Sequence, residues 1–177
     1  MSNSKVVHWL QDHETRLFHF VNQRIQHQLL DQFFTRITHL GGATASIMIA
    51  SCLACFGQGS LRIAGLQALL ALTISHIPVA IMKKRYPRLR PYLVHPQTIT
   101  HKNPLTDHSF PSGHTTAIFS VIIPCVYALP LLGLALIPIA LVVGVSRIYL
   151  GLHYPSDCIV GCMIGTTVSI VTVAFWG

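Results

Sequence analysis

Three groups of residues in this chain have the types and the spacing needed to handle a phosphate. Lys83 is followed, after six residues, by Arg90-Pro91. Pro111-Ser112-Gly113-His114 opens a long apolar run. Ser146-Arg147 is followed by His153 and then Asp157, an S-R-x5-H-x3-D spacing. Lys83, Arg90 and Arg147 supply three fixed positive charges, and arginine presents planar paired donors to phosphate oxygens. Ser112 and Gly113 stand where a helix begins, so free backbone N–H groups and the positive end of the dipole make an anion site. Glycine there lets the backbone come close to the ligand.

The two histidines have distinguishable tasks. Asp157 follows His153 by four residues, one turn if the segment is helical. Pro155 suits the first position of such a helix and puts Asp157 in its first turn. A carboxylate there can accept a bond from one imidazole nitrogen, which fixes the tautomer and leaves the other nitrogen free to attack. His153 is therefore the expected nucleophile, Asp157 its orienter, and His114 the expected general acid. Each group alone has a plainer reading. Lys83 with Lys84 and Arg85 could be an interfacial anchor, Arg147 a helix cap, Pro111–His114 a helix start, and His153 with Asp157 a local hydrogen bond. Their co-occurrence points to a site. A transporter or lipid-phosphate binder using the same pocket without turnover is the competing reading, but binding alone does not need the acid, nucleophile and orienter together.

The elements that position these residues follow from hydropathy. Of the 177 residues, 51% are hydrophobic and 10% charged, against roughly a quarter charged in soluble domains. Mean hydropathy is +0.56. Residues 117–145 and 158–177 carry no Asp, Glu, Lys or Arg. Crossing a hydrocarbon core takes about 20 helical residues. Five spans are expected, at 35–57, 61–82, 114–130, 132–151 and 156–176, all helices because lipid leaves no other way to pair the backbone. Gly57–Ser60 and Leu129-Pro130-Leu131 make short turns. Val7, Leu10, Leu17, Phe18, Val21, Ile25 and Leu29 recur at near-helical spacing, predicting an amphipathic helix over 4–31. That helix lies either at the membrane interface or against the polar end of the bundle. The expected fold is all-α: a membrane helical bundle of five spans plus that N-terminal helix. Residues 1–34 form the interfacial segment and 35–177 the transmembrane domain.

Two spans separate the proline-rich segment 83–113 from the turn at 147–157. All three groups therefore fall on one side of the membrane. The net charge of +7 is largely local, since six of the 12 Lys and Arg lie between Lys83 and Lys102. Set between apolar spans, that cluster faces lipid heads or a solvated surface rather than nucleic acid. Cys52, Cys55, Cys125, Cys158 and Cys162 sit in apolar stretches and predict neither a disulfide framework nor a zinc site. No secretory signal pattern opens the chain. His8, His13, His19 and His27 fit the outer face of the N-terminal helix, and His76 reads as packing rather than as a ligand. His101 and His108 lie near the site without an assigned role. Lys84, Arg85 and Arg88 read as attraction for anionic lipid.

Taken together, Lys83/Arg90/Pro91, Pro111–His114 and Ser146/Arg147/His153/Asp157 resemble the signature of the type 2 phosphatidic acid phosphatase family, the membrane relatives of vanadium haloperoxidases. The match spans residues 83–157 without a departure; residues 1–40 carry no part of it. The resemblance implies a phosphohistidine mechanism. His153 attacks phosphorus, Asp157 orients it, and His114 protonates the leaving oxygen and later activates water. Lys83, Arg90, Ser112, Gly113 and Arg147 hold the phosphate oxygens. No metal or other cofactor is implied, and vanadate is expected to mimic phosphate. The implied partners are a lipid phosphate and the membrane lipids, with no obligate protein partner. The implied location is a bacterial plasma membrane with the site on the extracytoplasmic face, opposite to what a simple count of basic loop residues gives. Phosphatidylglycerol phosphate or a broad range of lipid phosphates is the expected substrate, because the undecaprenyl pyrophosphate subgroup often has Asp at the position of Gly113. Undecaprenyl pyrophosphate is the alternative and a lipid A phosphate the third. A haloperoxidase is disfavoured by the apolar spans.

Overall fold

The computed structural model describes residues 2–100 and 106–176, with side chains from residue 9 onward. The side chain of His8, and His101 altogether, lie outside the described residues. The fold is all-helical among these residues: α1 (Ser2–His19), α2 (Gln28–Ile37), α3 (Ala43–Phe56), α4 (Ser60–Arg85), α5 (Pro91–Val94), α6 (Gly113–Ala128), α7 (Gly133–Tyr149) and α8 (Pro155–Trp176). Among the described residues α4, the stretch Pro130–Tyr149 and α8 are each long and apolar enough to cross a membrane. α6 is apolar but has 16 residues, or about 24 Å at 1.5 Å per residue. It can be short because its neighbours cover it: all but one of its residues from Thr115 to Cys125 are buried, against α4, α7 and α8.

Two devices bring the backbones of α4, α6 and α8 close together. A Cβ added at Gly161 would lie 2.6 Å from the Ser112 carbonyl oxygen, and one at Gly165 would lie 2.5 Å from that of Thr116. This pair one turn apart lets α8 seat directly on α6, as small residues do in lipid. The second device is polar. Pro124 has no N–H to offer the Ser120 carbonyl. The Ser169 hydroxyl of α8 donates to that carbonyl at 3.2 Å, and the Ser120 and Ser75 hydroxyls lie 2.9 Å apart between α6 and α4.

The N-terminal third departs from expectation. The single helix expected over 4–31 is broken: α1 runs into a π-helical turn at Phe20–Arg24, and α2 begins only at Gln28. The cause is tertiary. Asn22 is fully buried, where its amide donates to the Tyr149 carbonyl at 2.8 Å and to that of Ile99 at 2.9 Å. Its carbonyl accepts from the Ile99 N–H at 3.0 Å. His27, in extended backbone, then caps α2 by accepting from the Leu29 N–H. The first expected span, 35–57, is also bent: Gln28–Gly41 and Ala43–Phe56 meet at 56°. α1 itself is docked on the polar end of the bundle. Phe18 is fully buried and packs with Ile148, Tyr154 and Cys158.

Candidate active site

Each expected site residue is held at the end of an element. Lys83 lies in the last turn of α4. Arg90 directly precedes α5, whose first residue is Pro91. Gly113 and His114 open α6, Arg147 closes α7, and His153 sits in the turn before α8. That turn needs Gly151, whose φ of 73° few other residues adopt. A Cβ there would also stand 2.7 Å from the Ile99 carbonyl oxygen. Ser112 is tied to α8 by its N–H, which donates to the Asp157 carbonyl at 3.0 Å.

A cavity of about 590 Å³ opens where these ends meet, lined in part by Lys83, Arg90, Gly113, His114 and His153. Asp157 is fully buried behind His153. Two expected phosphate ligands stand back from the wall. The Ser112 hydroxyl serves as the cap of α6, taking bonds from the Thr115 N–H and hydroxyl. Arg147 is 3% exposed. One of its terminal nitrogens donates to the Thr38 hydroxyl at 2.8 Å, while its Nε is buried without a hydrogen-bond partner among the described residues. An unpaired donor on a buried cation is costly.

The protonation of His153 can be read from its neighbours. Its Nε2 lies 3.2 Å from a terminal nitrogen of Arg90. A guanidinium can only donate, so Nε2 carries the lone pair and Nδ1 the hydrogen. Nδ1 is 3.5 Å from Asp157 Oδ2. That is long for a hydrogen bond, and Nδ1 has no other partner among the described residues. Burial drives the His153 pKa down to about 4; the contact with Asp157 opposes this, while Arg147 and Arg90 add to it. The ring is neutral near pH 7, with its Nε2 lone pair directed at Arg90.

Two residues missed in the sequence, Asp107 and Ser109, complete the picture with Arg88, which the sequence suggested only as attraction for anionic lipid. Asp107 bridges two of the expected phosphate ligands: its carboxylate accepts from Lys83 Nζ at 2.6 Å and from Arg90 at 2.5 Å, and it lines the same cavity. Burial works to raise its pKa, but the hydrogen bonds and charges of Lys83 and then Arg90 hold it at about 2. Ser109 donates its hydroxyl to Asp157 Oδ2. Arg88 donates to Asp157 Oδ1 at 2.8 Å and to Glu14 of α1 at 2.7 Å. One signal for Asp107 was available, since it is the sole acidic residue between Lys83 and Asp157.

Comparison with known proteins gives a consistent picture. Residues 64–177 match the model of the PAP2 superfamily. A lipid A 1-phosphatase of Rhizobium etli is 32% identical over 96 residues, 52% of this chain and 41% of the relative. An undecaprenyl-diphosphatase of Sulfolobus acidocaldarius is 29% identical over 114 residues, 62% of this chain and 53% of the relative. The aligned part is thus about half or less of these relatives' length. Among solved structures, Aquifex aeolicus LpxE superposes with a TM-score of 0.80 at 28% identity, covering 90% of this chain and 94% of that one. A PAP2 type phosphatidylglycerolphosphate phosphatase from Bacillus subtilis shares the fold with a TM-score of 0.75 at 24% identity, covering 94% and 85%.

Proposed function

Because this chain belongs to the PAP2 superfamily, we propose that it is a membrane lipid phosphatase that hydrolyses a lipid phosphate monoester or pyrophosphate through a phosphohistidine. The observation that carries this reading is the state of His153. It is a buried neutral imidazole whose Nε2 lone pair faces a cationic cavity and whose Nδ1 faces a buried carboxylate.

The steps follow from that arrangement. Nε2 of His153 attacks phosphorus, and the bond from phosphorus to the lipid oxygen breaks with its electron pair on that oxygen. Burial, and then the charges of Arg147 and Arg90, disfavour protonated His114, and a phosphate anion in the cavity offsets those charges. So protonated, His114 gives the oxygen its proton, releasing a lipid alcohol, or a lipid monophosphate if the substrate is a pyrophosphate. The positive charge left on the His153 ring is stabilised at Nδ1 by Asp157. Water then loses a proton to His114 and attacks the phosphorus. The N–P bond breaks, its electron pair returns to Nε2, and inorganic phosphate leaves. Lys83, Arg90, Arg147 and the backbone N–H of Gly113 neutralise the phosphoryl oxygens throughout. These roles need no metal, so activity is expected to survive chelation.

Phosphatidylglycerol phosphate or a range of lipid phosphates remains the first expectation, with undecaprenyl pyrophosphate as the alternative. The lipid A 1-phosphate reading gains from the Rhizobium etli relative at 32% identity. A Cβ at Gly113 would meet nothing within 4 Å, so the Asp often found there in the undecaprenyl subgroup would fit. Its absence here is a matter of selectivity rather than of space. The site is expected on the extracytoplasmic face of a bacterial plasma membrane.

The test is phosphate release by purified protein in detergent with EDTA, offered phosphatidylglycerol phosphate, undecaprenyl pyrophosphate, phosphatidic acid and lipid A 1-phosphate. Release that persists in EDTA and disappears in His153→Ala supports the mechanism, and the rates rank the substrates. Release that His153→Ala leaves intact overturns it, and no release from any of the four favours a lipid-phosphate binder.

A further inference from the structure

Asp157 is the residue on which the orientation of His153 depends, and the contacts that hold it reach well outside the cavity. Its Oδ2 faces His153 and also accepts from the Tyr154 N–H at 2.8 Å and from the Ser109 hydroxyl. Its Oδ1 accepts from Arg88 at 2.8 Å. The carboxylate is fully buried, and Arg88 is the cation that ion-pairs with it.

Arg88 is itself fixed on several sides. The nitrogen that binds Asp157 also donates to the Ser156 hydroxyl at 2.8 Å. Its other terminal nitrogen donates to Glu14 Oε2 at 2.7 Å. The guanidinium carbon sits 3.9 Å from the centre of the Tyr154 ring. Burial works against its charge, but the bonds and charges of Glu14 and Asp157 outweigh this and raise its pKa. Glu14 is anchored in turn, since its Oε1 accepts from the Ser156 N–H at 2.9 Å, in the first turn of α8. The result is a row of alternating groups, from the His153 ring through Asp157 and Arg88 to Glu14 on α1.

We propose that Arg88, held by Glu14 of α1, is a positioning residue for the reaction, locking Asp157 so that one oxygen always faces His153. The inference rests on the phosphatase reading. Its physical basis is the division of labour on the carboxylate. Arg88 claims Oδ1 and resists rotation of the group, while Oδ2 faces the imidazole together with the Tyr154 N–H and the Ser109 hydroxyl. A planar fork reaching Asp157, Ser156 and Glu14 at once is something lysine cannot reproduce. α1 thereby becomes a working part of the site, although it carries no part of the signature.

The test uses the full chain in detergent and two readouts. In Arg88→Gln, kcat is expected to fall about 10- to 100-fold, as when the partner that orients a reacting group is lost. KM and competitive inhibition by inorganic phosphate should stay within about threefold. Arg88→Lys should retain an intermediate kcat, and Glu14→Ala should lower kcat in the same direction but less. Nitrogen NMR of His153 supplies the second readout: a single Nδ1–H tautomer in wild type and a mixture in Arg88→Gln. A single tautomer with unchanged kcat in Arg88→Gln overturns the proposal. So does a parallel loss of phosphate inhibition and kcat, which would mean collapse of the pocket. If wild type hydrolyses no lipid phosphate, the phosphatase reading fails, while the tautomer comparison still decides the role of Arg88.

Discussion

Asp107 gives the cationic cavity an unexpected counter-charge. Its carboxylate holds Lys83 and Arg90, so on the proposed function an incoming phosphate competes with it for the same two cations. With a pKa near 2 it remains ionised over the whole working range. Acidification therefore does not relieve the competition until the pH falls toward that value. Asp107→Asn is expected to tighten competitive inhibition by inorganic phosphate about tenfold, equivalent to ~1.4 kcal/mol, and equally at pH 5 and pH 8. Unchanged inhibition would mean that the carboxylate merely orients the two cations. At this scale the sequence was informative where chemistry imposes spacing. His114, His153, Asp157, Lys83 and Arg90 could be named because the roles proposed for them demand those types at those intervals. The contacts of Asp107, Ser109 and Arg88 could not be read, since which charge meets which is decided by how residues 86–100 and 106–112 lie against α8 and α1.

Helices α4, α7 and α8 were legible from hydropathy alone, and the turn at Leu129-Pro130-Leu131 from its proline. The breaks were not. Asn22 reads as one more polar position on an amphipathic helix, and only the waiting carbonyls of Tyr149 and Ile99 turn it into an insertion point. Packing between elements yields two expectations. Ser120→Ala should cost about 0.6 kcal/mol, and no more than ~1.7, the usual range for a hydroxyl bonded across helices in lipid. The shift in thermal midpoint in detergent checks this. Gly41→Ala should be worse for activity than for stability. The added Cβ would stand 2.6 Å from the His114 carbonyl oxygen and 2.9 Å from Val143 Cγ1. The first of these is backbone at the very start of α6, so relief requires moving His114. A loss of kcat of about tenfold with a folded protein is expected; a Cβ absorbed by Val143 alone would leave kcat unchanged.

Across the whole molecule, the straight helices and the bent pair meet the bilayer differently. A straight helix answers a change in hydrocarbon thickness by tilting or by deforming the lipid around it. Two rods joined at 56° have a softer response, since opening or closing the angle changes their reach. The joint lies at Gly41-Gly42, and Gly41 and Ala43 line the same cavity as Val79, Ala80 and Lys83 of α4. If the angle at this joint changes with bilayer thickness, the width of that cavity changes with it. The protein should behave as a gauge of its surroundings. In vesicles whose acyl chains lengthen from about 14 to about 22 carbons, roughly the spread over which mismatch is felt, hydrolysis should rise to an optimum and fall on either side. A flat profile would show that the joint is rigid. A lipid processed by such an enzyme would be cleared fastest where the membrane has one particular thickness, which makes the bent helix a means of choosing where in a membrane the reaction runs.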